Sequence, residues 1–276
     1  MTRNLKLALL AGSLVVLRGS NPPPDVHEIV KRATVALDSD WAADPTYACV
    51  QRDEVQKGDK QTSKTFQVVM IDGSEYHLPL AFDDQPLSPG RAKAELIKFK
   101  EEARHRERES ASARRSRIAA WKKQRDESGE LLLDFPKVLK FQLIREEAMN
   151  GHEAYVLSAF PKEGIVPDTR AAKVLLGMEG TAWVDKDTLH PMRVECTVTR
   201  AVPVFGPLAS VLPGTHIDIG MTQVTPSVWL IDEVSMRLSV SKLHMFKSTQ
   251  VTRSTYTNYR PNSSVVEELL SKATQE

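Results

Sequence analysis

The chain has 276 residues, of which 41% are hydrophobic and 26% are charged, and its formal net charge is +1. This composition is ordinary for a globular protein, and the near balance of charges gives no reason to expect nucleic acid as a partner. The length allows one large β domain or two small domains.

The first residues predict a secretory signal peptide over residues 1–20. Arg3 and Lys6 form a basic start, and an apolar or small run follows at 7–17. As a helix this run would span about 16 Å, roughly half of a bilayer core, which is too short for a transmembrane helix. The pattern therefore predicts export. The alternative is a short helix packed on the domain.

Hydrophobic periodicity predicts a helix after the signal peptide and then a run of antiparallel strands. Asp25 is a plausible N-cap, and the apolar residues that follow it recur at helical spacing from Val26 to Leu37. Period-2 alternation then predicts about ten strands with one apolar face. They lie at 46–57, 66–71, 76–82, 139–147, 152–161, within 180–202 (two strands), 217–221, 228–240 and 246–260. A short helix at 263–273 closes the chain.

A charged insertion at 88–127 interrupts this pattern. Ser88 and Pro89 predict a helix start, and residues 91–127 contain 13 Lys or Arg against seven Asp or Glu. The segment predicts a mostly solvated helix or helical hairpin. A basic arm for nucleic acid or anionic lipid is the alternative, but interleaved acids and the lack of stacking aromatic residues argue against it.

The candidate chemical residues give no catalytic pattern. Cys49 and Cys196 could form a disulfide, or they could be two buried small residues that never meet. His216 and Asp218 share one strand face, opposite Ile217 and the next isoleucine, and are expected to be solvated polar residues. No motif of a hydrolase, metalloprotease or nucleotide-binding enzyme occurs. The sequence therefore predicts a protein that is not an enzyme and that has no cofactor and no metal site.

One hairpin carries a family resemblance. Residues 180–188, with 191–195 after the turn, resemble the recurring hairpin of the outer-membrane lipoprotein-sorting superfamily, which comprises periplasmic carriers. Segments 151–157, 229–230 and 256–260 resemble neighbouring parts of that family, and 85–89 is similar to uncharacterised exported members. The resemblance implies a half-open β-barrel with a helical cover, a periplasmic location and acyl chains of lipids or lipoproteins as cargo.

These observations predict an α+β fold, mainly β, with one domain at 25–276. About ten antiparallel strands would curve into a half-barrel, and helices would cover its concave face. An apolar ligand would bind on that face, and the protein is expected to be a monomer. The predicted lining residues are Phe66, Val68, Met70, Tyr76, Leu78, Leu80, Tyr155, Leu157, Val194, Val198, Ile217, Ile219, Leu230, Met236 and Leu238.

Two alternatives remain at this point. The same side chains could simply pack against the helices as a filled core, because any folded β protein needs such a face. The protein would then be an envelope interaction module rather than a carrier, with the charged helix at 91–127 as its contact surface for an envelope protein.

Overall fold

A computed structural model describes residues 25–204, 209–242 and 246–275. The predicted signal peptide at 1–20 lies outside the described residues. Within those three stretches, no helix has the length and apolar character needed to cross a bilayer.

The described residues form five α-helices, one 3-10 helix and thirteen strands. The helices are α1 (Val26–Ala43), α2 (Pro89–Glu107), α3 (Ala111–Val138), α4 (Arg170–Leu175) and α5 (Asn262–Gln275), and the 3-10 helix is Asp44–Thr46. The strands are β1 (Tyr47–Lys57), β2 (Lys60–Ile71), β3 (Ser74–Phe82), β4 (Gln85–Pro86), β5 (Leu139–Met149), β6 (His152–Pro161), β7 (Met178–Asp185), β8 (Pro191–Val198), β9 (Val202–Pro203), β10 (Ala209–Val211), β11 (His216–Thr225), β12 (Val228–Lys242) and β13 (Phe246–Pro261). Three of the thirteen strands, β4, β9 and β10, have only two or three residues, too few to show alternation.

The strands form one antiparallel sheet in the order β4-β3-β2-β1-β13-β12-β11-β8-β7-β6-β5. Most neighbours are consecutive in the chain. The exceptions are β13, which pairs with β1 as well as β12, and β11, which pairs with β8 while β9 and β10 lie off this path. The edge strands β4 and β5 do not pair with each other, so the described sheet is open. The predicted α+β half-barrel of antiparallel strands is confirmed.

Helices α1 and α3 pack on one face of the sheet and on each other. The apolar stripe of α1, with Ile29, Ala33 and Leu37 buried, meets Leu132 and Phe135 of α3 in the main core. Asp25 is the N-cap of α1, because its carboxylate accepts a hydrogen bond of 2.9 Å from the amide of His27. We call the face covered by α1 and α3 the concave face.

The other face of the sheet is also covered at β1, β2 and β3. Val69, Ile71 and Leu78 pack there against Phe99 of α2 and Leu269 of α5 in a second apolar cluster. Successive strand residues point to opposite faces, so this cluster lies behind the strand positions that face α1 and α3. The two halves of the helical insertion therefore lie on opposite faces of the sheet.

Arginines hold this helical hairpin around the turn between β2 and β3. Arg106 of α2 donates hydrogen bonds to the carbonyls of Ile71 and Ser74, at 3.0 and 2.9 Å. Arg117 of α3 donates to the Ser74 hydroxyl at 2.7 Å, and Arg114 forms an ion pair with Asp72 at 3.0 Å. Three of the basic residues of the insertion thus serve the fold.

The insertion is longer than predicted. Helix α3 continues past residue 127 to Val138, so residues 128–138 are helical and not a connection to the next strand. Its last turns bury Leu132 and Phe135, which pack on α1. The charge bias that marks the first part of the insertion ends before these apolar turns, which is why composition alone placed the boundary too early.

Candidate functional site

A cavity of about 930 Å³ lies between the two concave-face helices and the central strands of the sheet. Its wall comes from β1, β2, β11, β12 and β13, and α1 and α3 close it from the other side. Volumes of about 300–1,000 Å³ are typical of sites for small molecules and cofactors. The concave face therefore has room for a ligand beside its packed core.

The part of the cavity wall that β11 and β12 form is mostly aliphatic, whereas the rest of the lining includes charged side chains such as Glu75 and Arg117. Ile217 and Ile219 of β11 lie opposite Met236 and Val234 of β12, so four apolar side chains form a continuous patch across two strands. Leu230 lies further along β12 and is also part of the wall. Methionine is flexible and polarisable and suits a surface that accepts ligands of different shape.

Tryptophans and one arginine join the two helices at the edge of the cavity. The Arg125 guanidinium of α3 lies 3.9 Å from the ring centroid of Trp41 of α1 and 5.8 Å from that of Trp121. It also donates to the Trp41 carbonyl and lies 3.3 Å from the Asp44 carboxylate. Gly129, one turn further along α3, fits under Trp41, because a Cβ there would lie 2.5 Å from Cη2 of the indole.

Two tyrosines of β13 complete the wall on the β1 side. Burial raises the pKa of Tyr256 to about 12, and burial also raises the pKa of Tyr259. The Tyr259 hydroxyl donates to the carbonyl of Ile231 at 2.6 Å. Both rings are neutral at physiological pH and present mainly apolar surface to the cavity.

One end of the cavity carries a buried polar group. Asp40, at the end of the α1 stripe, is 3% exposed, and its Oδ1 accepts a 3.0 Å hydrogen bond from the Trp229 amide. The Asp40 Oδ2 atom and the Trp229 Nε1 atom are both buried and have no hydrogen-bond partner. Burial raises the pKa of Asp40, although the Trp229 amide and the charge of His190 oppose this effect.

Two histidines hold the Trp229 ring in place. His190 stacks on the indole with 6.0 Å between ring centroids, and His152 packs edge-on at 5.0 Å. The His152 Nδ1 atom is 2.9 Å from Oδ2 of Asp185, a carboxylate that is 1% exposed. Burial raises the pKa of Asp185, but hydrogen bonds from Thr188 and His152 outweigh burial and leave this pKa below its ordinary value.

The structure brings part of the predicted lining set to the two concave-face cavities. Six of the predicted residues line the large cavity: Val68, Met70, Ile217, Ile219, Leu230 and Met236. Leu157 and Val194 line a second, much smaller cavity of about 60 Å³ under α1 and α3. Neither cavity includes Phe66, Tyr155, Val198 or Leu238 in its lining; Phe66 packs on His77, and the other three belong to or pack against the main core.

Two predicted residues lie on the opposite face, and a third lies outside both cavities. Tyr76 and Leu78 belong to the second cluster under α2 and α5, and Leu80, at the register irregularity between β2 and β3, is 37% exposed. The register explains this difference, because Met70 pairs with Glu75 and Val69 pairs with Tyr76. Directly paired residues share a face, so the apolar alternation of β3 points away from the cavity.

The disulfide alternative is incompatible with the fold. Cys49 on β1 and Cys196 on β8 are free and buried, and β13, β12 and β11 lie between their strands. Four strand spacings of about 4.8 Å put the two roughly 19 Å apart along the sheet, far beyond the ~7 Å limit between Cα atoms of a disulfide. Burial raises the pKa of each thiol to about 12.

The predicted polar pair on β11 is joined by two charged residues of β8. Glu195, His216 and Asp218 could together surround a cation. The Arg193 guanidinium already lies 2.6 Å from Asp218 and 3.2 Å from Glu195. A resident cationic side chain neutralises these carboxylates, so the cluster is a surface ion-pair network, in line with the solvated role expected for His216 and Asp218.

Sequence reasoning missed the polar end of the cavity. Asp40 follows Ile29, Ala33 and Leu37 at helical spacing, so a carboxylate continues an apolar stripe. That position was a usable signal, because a charged residue on the buried side of a helix needs a partner or a function. The pairing of Asp40 with Trp229, 189 positions away, had no signal in the sequence.

No protein-family model matches the chain, and no curated protein matches it. Solved structures that are similar to it include a DUF1329 family protein from Desulfovibrio piger (14% identity, 84% of this chain and 93% of that chain, TM-score 0.34). Others are a LolA superfamily protein from Nitrosomonas europaea (11%, 86% and 94%, TM-score 0.35) and an outer membrane lipoprotein-sorting protein domain from Vibrio parahaemolyticus (12%, 86% and 99%, TM-score 0.33).

Two of these three structures are named for the lipoprotein-sorting superfamily that the hairpin at 180–195 resembles. At these identities and TM-scores, function has to be argued from the residues of this chain.

Proposed function

We propose that this protein is an exported, periplasmic carrier that binds an elongated apolar ligand, such as an acyl chain of a lipid or lipoprotein, on its concave face. The observation that carries the proposal is the cavity of about 930 Å³ with its continuous patch of aliphatic side chains on β11 and β12. A filled core would have no such volume.

The energetics of the wall suit an acyl chain. Each methylene that leaves water for an apolar site contributes about 0.8 kcal/mol, which is close to a fourfold change in Kd. Affinity can therefore come from chain length without a charged anchor. The expected result is a Kd that falls about fourfold for each added CH₂ until the chain outgrows the cavity.

Contacts between the charged helical segment and the sheet weaken the alternative of an envelope interaction module. Its contact surface would be the charged helix at 91–127, but Arg106, Arg114 and Arg117 of that segment bind the turn between β2 and β3. Their charges are thus explained by the fold.

Tryptophans in the cavity lining can report ligand binding through their fluorescence. The chain has four tryptophans, and Trp41, Trp121 and Trp229 line the cavity, whereas Trp183 contacts Arg193 on the other face. A fatty acid with a brominated chain quenches indole fluorescence at contact. Titration with it should quench most of the emission, and the unbrominated acid should compete.

A matched pair of variants tests where the chain binds. Met236→Glu puts a charge in the cavity wall, and Leu80→Glu puts the same charge at a partly exposed apolar position outside the cavity lining. We expect Met236→Glu to abolish quenching and Leu80→Glu to leave it unchanged, with both variants folded by circular dichroism. Absence of saturable quenching in the wild-type protein, with acids, alcohols and amines alike, would overturn the carrier proposal.

A further inference from the structure

We propose that the polar end of the cavity, at Asp40 and Trp229, is a binding site for the polar end of the ligand and selects a hydrogen-bond donor, a hydroxyl or an ammonium group, over a carboxylate. This inference rests on the proposed function, because it assigns the chemistry of the head group for the same cavity. Nothing in the aliphatic wall makes that choice.

The polar end of the cavity has an unmet hydrogen-bonding capacity. Nearly all buried polar atoms in folded proteins have a partner. Here three atoms lack one: Nδ1 of His190 and two atoms of opposite character in the cavity lining, the Oδ2 acceptor of Asp40 and the Nε1 donor of Trp229. Both side chains line the cavity, and both residues are at least 97% buried. A ligand group placed at this end can satisfy both atoms.

The Asp40 carboxylate and the Trp229 indole are both held in place. The Asp40 carboxylate is fixed by α1 and by its hydrogen bond from the Trp229 amide. The indole ring is held between His190 and His152. Such preorganisation lowers the entropy that binding would otherwise cost. The site thus has the rigid support that a specific contact requires.

The charge near Asp40 favours a ligand group that donates hydrogen bonds. The nearest cationic candidate for Asp40 Oδ2 is Nε2 of His190, at 3.6 Å, which is beyond hydrogen-bond distance. A ligand carboxylate at this position would face a second carboxylate in a water-poor environment, and like charges there are unfavourable. A hydroxyl or ammonium group would instead donate to Oδ2. A hydroxyl could also accept from the Trp229 indole, so that one group would pair both of these cavity-lining atoms.

Three ligands with the same chain test the choice: dodecanol, dodecylamine and dodecanoate, each measured by displacement of a brominated fatty acid. Hydrogen bonds to charged groups are among the stronger ones in proteins. We therefore expect the wild-type protein to bind dodecanol and dodecylamine at least about tenfold more tightly than dodecanoate. Equal or tighter binding of dodecanoate in the wild-type protein would overturn the inference without reference to any variant.

Variants then locate the effect. Asp40→Asn keeps an oxygen for the Trp229 amide and removes the charge, so the amine-to-carboxylate ratio of affinities should fall about tenfold or more. Asp38→Asn is the matched control, because Asp38 is an exposed carboxylate of the same helix and lies outside the cavity lining. It should leave the ratio unchanged. An equal fall in both variants would refute the assignment to Asp40.

The indole proton of Trp229 gives an independent measurement. Its ¹H–¹⁵N signal, assigned with Trp229→Phe, should move downfield when dodecanol is added, whereas the Trp183 signal should not move. If all three ligands bind with similar affinity and this signal does not move, the head-group inference fails and the carrier proposal stands. If none of the three binds, the carrier proposal fails as well.

Discussion

Replacement of Arg125 by alanine tests whether the contact between α1 and α3 holds the cavity together. The guanidinium is 14% exposed, stacks 3.9 Å from the Trp41 ring centroid and lies 3.3 Å from Asp44. It also hydrogen-bonds the Trp41 carbonyl. No other described side chain joins these two helices through a cation–π contact with the same ring.

The magnitude follows from three contributions. A largely desolvated cation–π contact is worth about 1–2 kcal/mol, and a hydrogen bond to a carbonyl contributes about 1 kcal/mol. The Asp44 side chain is 39% exposed, so water screens the ion pair and its share is only about 0.5 kcal/mol. The sum predicts that Arg125→Ala lowers the free energy of unfolding by about 3 kcal/mol, or Tm by roughly 6–12 °C.

Urea denaturation followed by circular dichroism measures this loss of unfolding free energy. Two further variants on the same helix are measured for comparison. Arg125→Lys keeps the charge but not the planar stacking surface, so we expect about half of the loss. Arg115→Ala, at an exposed position of α3, should cost less than about 0.5 kcal/mol. A loss for Arg125→Ala no larger than that of Arg115→Ala would refute the reasoning.

Three further predictions concern packing, pH and thiols. Gly129→Ala should destabilise the protein by about 1–2 kcal/mol, because overpacking against the α1 tryptophan outweighs the helix propensity of alanine. Gly90→Ala is the control, because nothing lies within 4 Å of its added Cβ. It should be neutral or stabilising in the same urea assay. The lowered pKa of Asp185 contributes stability that is present above its unfolded pKa of about 3.9 and is lost as pH falls through the folded value. In the urea assay Asp185→Asn should therefore be less stable than the wild type at pH 7, and this difference should shrink as pH falls below about 3.9. Cys49 and Cys196 should react with a thiol reagent only after the protein is unfolded, and two thiols per chain should then be measured. If the unfolded protein shows no reactive thiol without reductant, the two cysteines form a disulfide, which would contradict the strand order.

The sequence predicted the sheet well because alternation is a local property. The predicted strands at 217–221 and 228–240 are present, with a register shift after Gly220, and six residues of the predicted set line the cavity. Alternation separates two faces but does not say which face is concave. Tyr76 and Leu78 alternate as regularly as Met70, and only the pairing of β2 with β3 shows that they face α2 and α5.

The polar end of the cavity shows a different limit. Asp40 was visible as a carboxylate on an apolar stripe, but its partner depends on a contact between α1 and the start of β12. Trp229 sits next to the turn between β11 and β12, and its histidine neighbours come from the ends of two other hairpins. Four segments distant in the chain thus build one site, and such long-range contacts leave no periodic signal.

The two-sided cover of the sheet explains how one face can hold a cavity. At β1, β2 and β3 the second cluster, built on α2 and α5, buries Val69, Ile71 and Phe99 and stabilises these strands from behind. Beyond them, the main core packs α1 and α3 on β5 to β8. Burial of apolar area drives folding in proportion to that area, and most members of the two clusters lie outside the cavity lining, although the main core includes Ile217 and Ile219 of the wall. The fold therefore does not depend on the wall of β11 and β12 alone, and Asp40 can remain incompletely paired at a cost that the rest of the fold offsets.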